Sequence, residues 1–395
     1  MNSKNIVPPN SGPKMGKTTD EQPGMFLGES GQSARPRSTS LVSIQVWRAI
    51  AALLVVVTHA SNELVSMGLG FRLIDNGPFG VDIFFVISGF VMVYSSERLF
   101  GQPGAPRKFF ARRVARIVPA YWLATLLMVW FLLPRASTKA VIGSLLFSPH
   151  YPIEVPLLLV GWTLIFEMFF YAVFAVALLA GKRTAVIGCA AAFLAALAFL
   201  GPAPPSMPGF TVTSAKGLAY LADPIILEFA LGMMLALLYR ANIRLRFEAT
   251  VLLLALGTGW LAMTVEWMPR PYSCGIAAAL IVGGPALCSV PSPGPGNLVA
   301  RIGVFLGDIS YSLYLTHFLS FAYVAWIATQ LAINPLDYVW PYVVAMLGAA
   351  VLIASVMYLC FEKPVTKFLQ KQAEEQSWPT FPIRTGKRVL HPGET

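Results

Sequence analysis

The 395-residue chain carries 29 Lys and Arg against 19 Asp and Glu, a formal charge of +10, yet 56% of its residues are hydrophobic and only 12% are charged. A charged share about half the usual one, with a mean hydropathy of +0.65, excludes a soluble globule, a disordered chain, a coiled coil and a collagen. What remains is an all-α polytopic integral membrane protein. Its basic residues sit in short clusters between apolar runs, the pattern of positive-inside loops and not of a nucleic-acid surface.

Residues 1 to 42 are rich in Pro, Ser, Gly and Lys, contain no signal-peptide pattern, and are expected to form a disordered cytoplasmic tail. A membrane domain follows over 43–368. About ten apolar runs long enough to span are predicted near 44–64, 79–96, 115–133, 157–180, 184–200, 222–239, 248–265, 272–289, 309–331 and 338–361. The segment Thr138–Phe147 is too short to span and is expected to be interfacial or re-entrant, ahead of the loop His150–Pro156. A second irregular loop is expected over Gly201–Gly217, and a polar cytoplasmic tail over 369–395.

An even number of spans puts both termini on one side. That side collects Arg98, Arg107, Lys108, Arg112, Arg113, Lys182, Arg183, Arg240, Arg244, Arg246 and Arg301, whereas the other holds Arg72, Arg135, Lys139, Lys216 and Arg270. The asymmetry predicts cytoplasmic termini. Cys189, Cys274, Cys288 and Cys360 lie in or beside apolar segments without CxxC spacing, so they read as packing residues. No His, Asp or Glu set has metal-ligand spacing on one helix, so no metal is expected.

Ionisable groups inside spans are costly and each is a functional candidate. Arg48 and His59 differ by eleven positions, about three helical turns, so they point the same way about 16 Å apart. His59 is either a reactive imidazole or one satisfied by a neighbouring helix. Asp82, at the outer end of the second span in Gly80-Val81-Asp82-Ile83-Phe84-Phe85, is expected at a similar depth. A carboxylate on one imidazole nitrogen fixes the tautomer and raises basicity at the other, although an ion pair that merely locks two helices would look the same. Arg112, Arg113 and Arg116, in Arg112-Arg113-Val114-Ala115-Arg116-Ile117-Val118-Pro119-Ala120-Tyr121-Trp122, form a cluster suited to a polyphosphate or to lipid headgroups. Glu167 lies mid-span, where a carboxyl is either protonated or paired. Ser310, Tyr314 and His317 share a helical face in Gly307-Asp308-Ile309-Ser310-Tyr311-Ser312-Leu313-Tyr314-Leu315-Thr316-His317, for contact with substrate or with another helix. Glu228 is a further buried carboxyl that no motif supports.

The Arg-x10-His helix, GVDIFFVISGF, RRVARIVPAYW, GWTLIFEMFFY, GDISYSLYLTH and the closing Phe361-Glu362-Lys363-Pro364 occur in one order from about Ser43 to Phe368. In this they resemble the membrane acyltransferase-3 family, and within it the exopolysaccharide O-acetyltransferases. The resemblance implies a ten-helix core that takes acetyl from cytoplasmic acetyl-CoA and places it on a glycan hydroxyl. It implies a catalytic set of His59, Asp82, Arg48 and Glu167, with His59 as general base and Asp82 holding its tautomer. Arg112, Arg113, Arg116 and Tyr121 are expected at the donor, and Trp162, Ser310, Tyr311 and His317 at the acceptor. The implied setting is the bacterial inner membrane, with membrane lipid, a glycan acceptor that can be lipid-linked and polysaccharide biosynthesis machinery as partners. Many relatives carry an extracytoplasmic hydrolase-like domain that is not seen here, so transfer is expected to finish in the core or with a separate partner. A multi-span transporter or flippase would share this composition, but the absence of an internal repeat disfavours it.

Overall fold

The computed structural model describes residues 39–75, 77–131, 133, 136–148, 157–200, 217–289 and 297–375. The expected loops at 150–156 and 201–216 and most of both tails lie outside the described residues. Helices follow one another as α1 (Thr39–Ser66), α2 (Phe79–Ser95), α3 (Ala105–Phe131), the short α4 (Thr138–Leu145), α5 (Gly161–Ala177) and α6 (Arg183–Leu200). After a single turn, α7 (Leu218–Leu221), come α8 (Leu227–Arg240), α9 (Phe247–Thr264), α10 (Ile276–Leu287), α11 (Leu298–Gln330), α12 (Val339–Met357) and α13 (Lys363–Glu375). Among the described residues the extended backbone pairing is one isolated bridge between Leu245 and Cys288. Among the described residues seven helical stretches are long and apolar enough to cross a membrane, and two shorter apolar helices, Phe79–Ser95 and Pro271–Leu287, accompany them.

A helix stands at every apolar run, but several boundaries move. α3 begins about ten residues before the expected 115 and α11 about eleven before 309, while α8 starts at Leu227 rather than 222 and α13 carries helix on to Glu375. Hydropathy marks the stretch suited to lipid, whereas backbone hydrogen bonding continues through amphipathic and basic residues beyond it. The basic motif around Arg113 is therefore helix interior, and the whole of Gly307–His317 lies inside α11. Backbone widening of the π type occurs over Pro271–Gly275, leading into α10, and over Tyr358–Glu362, joining α12 to α13.

The distribution of polarity is that of a membrane protein. Trp130 is 78% exposed and Leu200 85%, whereas Asp82, Glu228 and His317 are 0% exposed. Such apolar side chains remain outside at little cost only against lipid, and the buried polar groups then need partners within the bundle. α1 packs along α11, and α2 along α8. Small residues permit the second contact: a β-carbon on Gly232 would lie 2.0 Å from the Val86 carbonyl oxygen, and one on Gly89 2.1 Å from that of Phe229. Gly232→Ala is expected to destabilise the purified protein by about 1–3 kcal/mol, the usual effect of overpacking. Thermal unfolding in detergent measures this, with Gly348→Ala as the neutral control, since a β-carbon there meets nothing within 4 Å.

Candidate active site

A cavity of about 130 Å³ runs along α2 between α1, α3, α5 and α11. α2 contributes Val81, Phe84, Phe85, Ile87, Ser88, Val91 and Met92, of which all but Ile87 follow an i, i+3, i+4, i+7 stripe that presents one face over about 16 Å of helix. Opposite it stand Arg48 from α1, Arg113 and Arg116 from α3, Glu167 and Tyr171 from α5, and Tyr311 and Tyr314 from α11. The charged lining is thus three guanidinium groups and one carboxylate, an excess that suits an anionic ligand.

Each polar group is held. Arg48 Nη1 donates to Gln45 Oε1 at 3.0 Å, and Gln45 Nε2 donates to Asp308 Oδ1 at 2.5 Å, which ties α1 to α11. Arg113 donates to the Ser95 hydroxyl and packs 5.4 Å from the Phe109 ring centroid and 5.9 Å from that of Tyr171. Arg116 pairs with Glu362 at 2.6 Å, and the other oxygen of that carboxylate accepts from Ser312 Oγ at 2.5 Å. Glu167 accepts from Ser88 Oγ at 3.2 Å and from the Tyr171 hydroxyl. Tyr311 donates to the Ile117 carbonyl at 2.9 Å, and the Tyr314 and Thr163 hydroxyls are 2.9 Å apart.

His59 does not line this cavity. Its Nδ1 lies 3.0 Å from Nε2 of His317, the two rings stack with centroids 5.0 Å apart, and Phe318 packs on His59 at 4.7 Å. The hydrogen-bond roles follow from the far end. His317 Nδ1 is 3.2 Å from the Leu313 carbonyl, which only accepts, so that nitrogen carries the proton and His317 Nε2 is an acceptor. His59 Nδ1 must then donate, which leaves the lone pair of His59 on Nε2. His317 is fully buried and His59 half-buried. Tyr314 links the couple to the cavity, since it lines the cavity and its ring lies 6.4 Å from His317.

Asp82 was expected beside His59, and the structure corrects that. Asp82 is paired with Arg270, Oδ1 to Nε at 2.9 Å and Oδ2 to Nη2 at 3.0 Å. The reason is helical phase. Gly80 is the α2 residue pressed on α1, where its β-carbon would lie 2.3 Å from the Ala51 carbonyl oxygen. Two positions on, about 200° of rotation turns Asp82 to the opposite side. Arg270, expected in an outside loop, is 5% exposed and also lies 5.8 Å from the Trp162 ring. Glu228 is fully buried nearby, beside Asp82 and Arg270, with its Cγ 2.9 Å from the place of a β-carbon on Gly275.

The remaining expected residues divide. Of the donor set, Arg113 and Arg116 share the cavity, whereas Arg112 is not among its lining residues, and its backbone carbonyl accepts from Gln370 of α13 at 3.3 Å. Tyr121 is buried and its hydroxyl bonds the Ser144 carbonyl and hydroxyl at 3.1 and 2.9 Å, so it secures α4 instead of reaching the cavity. Of the acceptor set, Trp162 packs on Phe85 and Phe166. Ser310 bonds back to the Gly307 carbonyl at 2.8 Å, the ordinary use of a helical serine. Tyr311 lines the cavity and His317 joins His59. Sequence reasoning missed Arg270, Glu362 and Gln45 as site-building residues. Glu362 stood in a recognised motif, but only the π turn aims it at Arg116. Among the described residues no three His, Cys, Asp or Glu side chains are grouped to hold a metal ion.

The acyltransferase domain model matches residues 41–359, a span that includes every cavity-lining residue and the His59–His317 couple. The exopolysaccharide production protein ExoZ of Rhizobium meliloti is 35% identical over 262 residues, covering 63% of this chain and 78% of that protein. The acyltransferase MdmB of Streptomyces mycarofaciens is 25% identical over 376 residues, 85% of this chain and 94% of that protein. No solved structure matches the chain. With a multi-pass helical architecture and a family match across most of its length, the chain belongs to the acyltransferase-3 family of membrane acyltransferases.

Proposed function

We propose that the protein moves acetyl from cytoplasmic acetyl-CoA to a hydroxyl of an exopolysaccharide or similar cell-surface glycan. It does so as a ten-span protein of the bacterial inner membrane with both termini in the cytoplasm. One observation carries the reading: a narrow cavity holds Arg48, Arg113 and Arg116 and borders, through Tyr314, on a histidine couple about three helical turns beyond Arg48. A thin pantetheine arm with its amides suits an apolar channel dotted with hydroxyls, and its charged end suits the guanidinium groups. The glycan preference rests on the likeness to the exopolysaccharide production protein.

In this scheme the acceptor hydroxyl meets His59 from its exposed side. His59 Nε2 removes the hydroxyl proton as the oxygen attacks the thioester carbonyl, an ester forms, and the coenzyme thiolate leaves and is protonated. His317, rather than Asp82, holds the tautomer. No protein nucleophile is required.

Two measurements test the reading. Proton NMR of surface polysaccharide is expected to lose O-acetyl signals in a deletion strain and regain them on complementation. If the glycan is unchanged, the acceptor assignment is wrong. In proteoliposomes, Arg113→Ala combined with Arg116→Ala is expected to raise the KM for acetyl-CoA by about 10- to 100-fold, as loss of charge-assisted hydrogen bonds implies. An unchanged KM would remove the donor from this cavity.

A further inference from the structure

A second basic site lies just past the cavity, at the C-terminus of α2. Arg113 bonds Ser95 there, and two residues on, within about 7 Å of chain reach, Glu97 receives two arginines from other elements. Arg183, at the start of α6, pairs with Glu97 Oε1, and Arg240, at the end of α8, brings Nε within 3.3 Å of Glu97 Oε2. Arg240 also donates to the Tyr94 carbonyl at 2.9 Å and lies 4.9 Å from the Tyr94 ring centroid. The C-terminal end of a helix favours cations, which explains why they collect.

The cluster is more basic than its own ion pairs require. One carboxylate faces two guanidinium groups here, with Arg113 alongside. Among the described residues the buried Nε atoms of both Arg183 and Arg240 have no hydrogen-bond acceptor, the 3.3 Å approach of Arg240 to Glu97 lacking hydrogen-bond alignment. An orphaned buried guanidinium N–H is costly and marks a place for a stronger acceptor. The cluster is nonetheless reachable, with Arg183, Glu97 and Arg240 side chains 36%, 37% and 26% exposed. Beside it is an open groove lined by Glu97, Phe100, Lys182 and Arg183 and floored by Gly101 and Gly181. Both glycines have φ of +73°, and each lacks the side chain that would fill the groove. The Phe100 ring is 5.9 Å from the Arg183 guanidinium and offers a flat apolar face.

We infer that this groove binds the phosphorylated nucleoside end of the acyl donor, with Arg183 and Arg240 on its phosphates, Phe100 against the base, and Glu97 as a placeholder displaced by phosphate. The inference rests on the donor reading above and extends it, since Arg113 lines the cavity and also bonds Ser95, two residues before Glu97 of the groove. Glu97 keeps two arginines together in the free protein, and phosphate offers each a bidentate partner in its place.

The test uses the purified full-length protein in detergent with adenosine 3′,5′-bisphosphate as probe, read by calorimetry. Wild type is expected to bind it. Arg183→Gln combined with Arg240→Gln is expected to weaken binding at least about tenfold, the loss of one or two charge-assisted bonds, with each variant's unfolding temperature confirming a folded sample. Glu97→Gln, which removes the competing charge and keeps the shape, is expected to tighten binding. In turnover assays the double variant raises KM for acetyl-CoA with unchanged kcat, and leaves S-acetylpantetheine, which lacks the nucleotide, unaffected. No binding by wild type, equal binding by the double variant, or equal loss with both donors overturns the site. Displacement by phosphatidylglycerol as readily as by the nucleotide also overturns it, in favour of a lipid headgroup site. Nucleotide binding without acetyl transfer would keep this groove and overturn the transferase donor reading instead.

Discussion

His59→Ala is expected to reduce kcat for acetyl transfer by about 10²- to 10⁴-fold, the usual contribution of a general base, while KM for acetyl-CoA changes little. The proposed donor residues Arg48, Arg113 and Arg116 line the cavity, which His59 does not, and Arg48 is about three helical turns from His59 along α1. Imidazole added to the assay should restore part of the rate, a response that a purely structural histidine would not give. His317 separates the two explanations further. His317→Phe keeps an aromatic ring against His59 but removes the acceptor of its Nδ1 proton, so the wrong tautomer becomes available and kcat falls. His317→Gln, whose amide oxygen accepts a hydrogen bond, should keep more of the rate than His317→Phe. If His59→Ala retains full turnover at matched protein levels, the base assignment is lost. If His317→Phe and His317→Gln behave alike, tautomer control by His317 is lost.

The second large effect concerns stability. Asp82→Ala or Arg270→Ala alone should destabilise the protein by about 3–5 kcal/mol, because each leaves an uncompensated charge in a buried site. Asp82→Leu combined with Arg270→Met, apolar and of similar volume, should recover most of the loss. Thermal unfolding in detergent reads the first quantity and acetyl-CoA turnover the second. The double variant is expected to keep kcat near wild type, since neither residue lines the cavity or touches the histidine couple. A stable double variant with kcat lowered a hundredfold or more would return Asp82 to the catalytic set.

The two predictions rest on one difference between sequence and structure. The composition and apolar runs by themselves determined a polytopic helical membrane protein, because lipid requires each spanning segment to satisfy its own backbone and present apolar side chains. The motifs likewise singled out polar groups inside such segments, where a charge is too costly to be incidental. Arg48, Arg113, Arg116, Glu167 and Tyr311 do line one cavity. The tertiary structure alone decided who faces whom. Depth along the membrane follows from residue counting, so Asp82 and His59 looked like partners. Direction depends on the phase of one helix against its neighbours, and Gly80 at the α1 contact turns Asp82 away to Arg270. Arg270 itself lies at the entry to a π turn, Glu362 ends another, and His317 comes from a helix 258 positions away from His59. Such partners are selected by packing between distant segments, which periodicity within one segment does not encode.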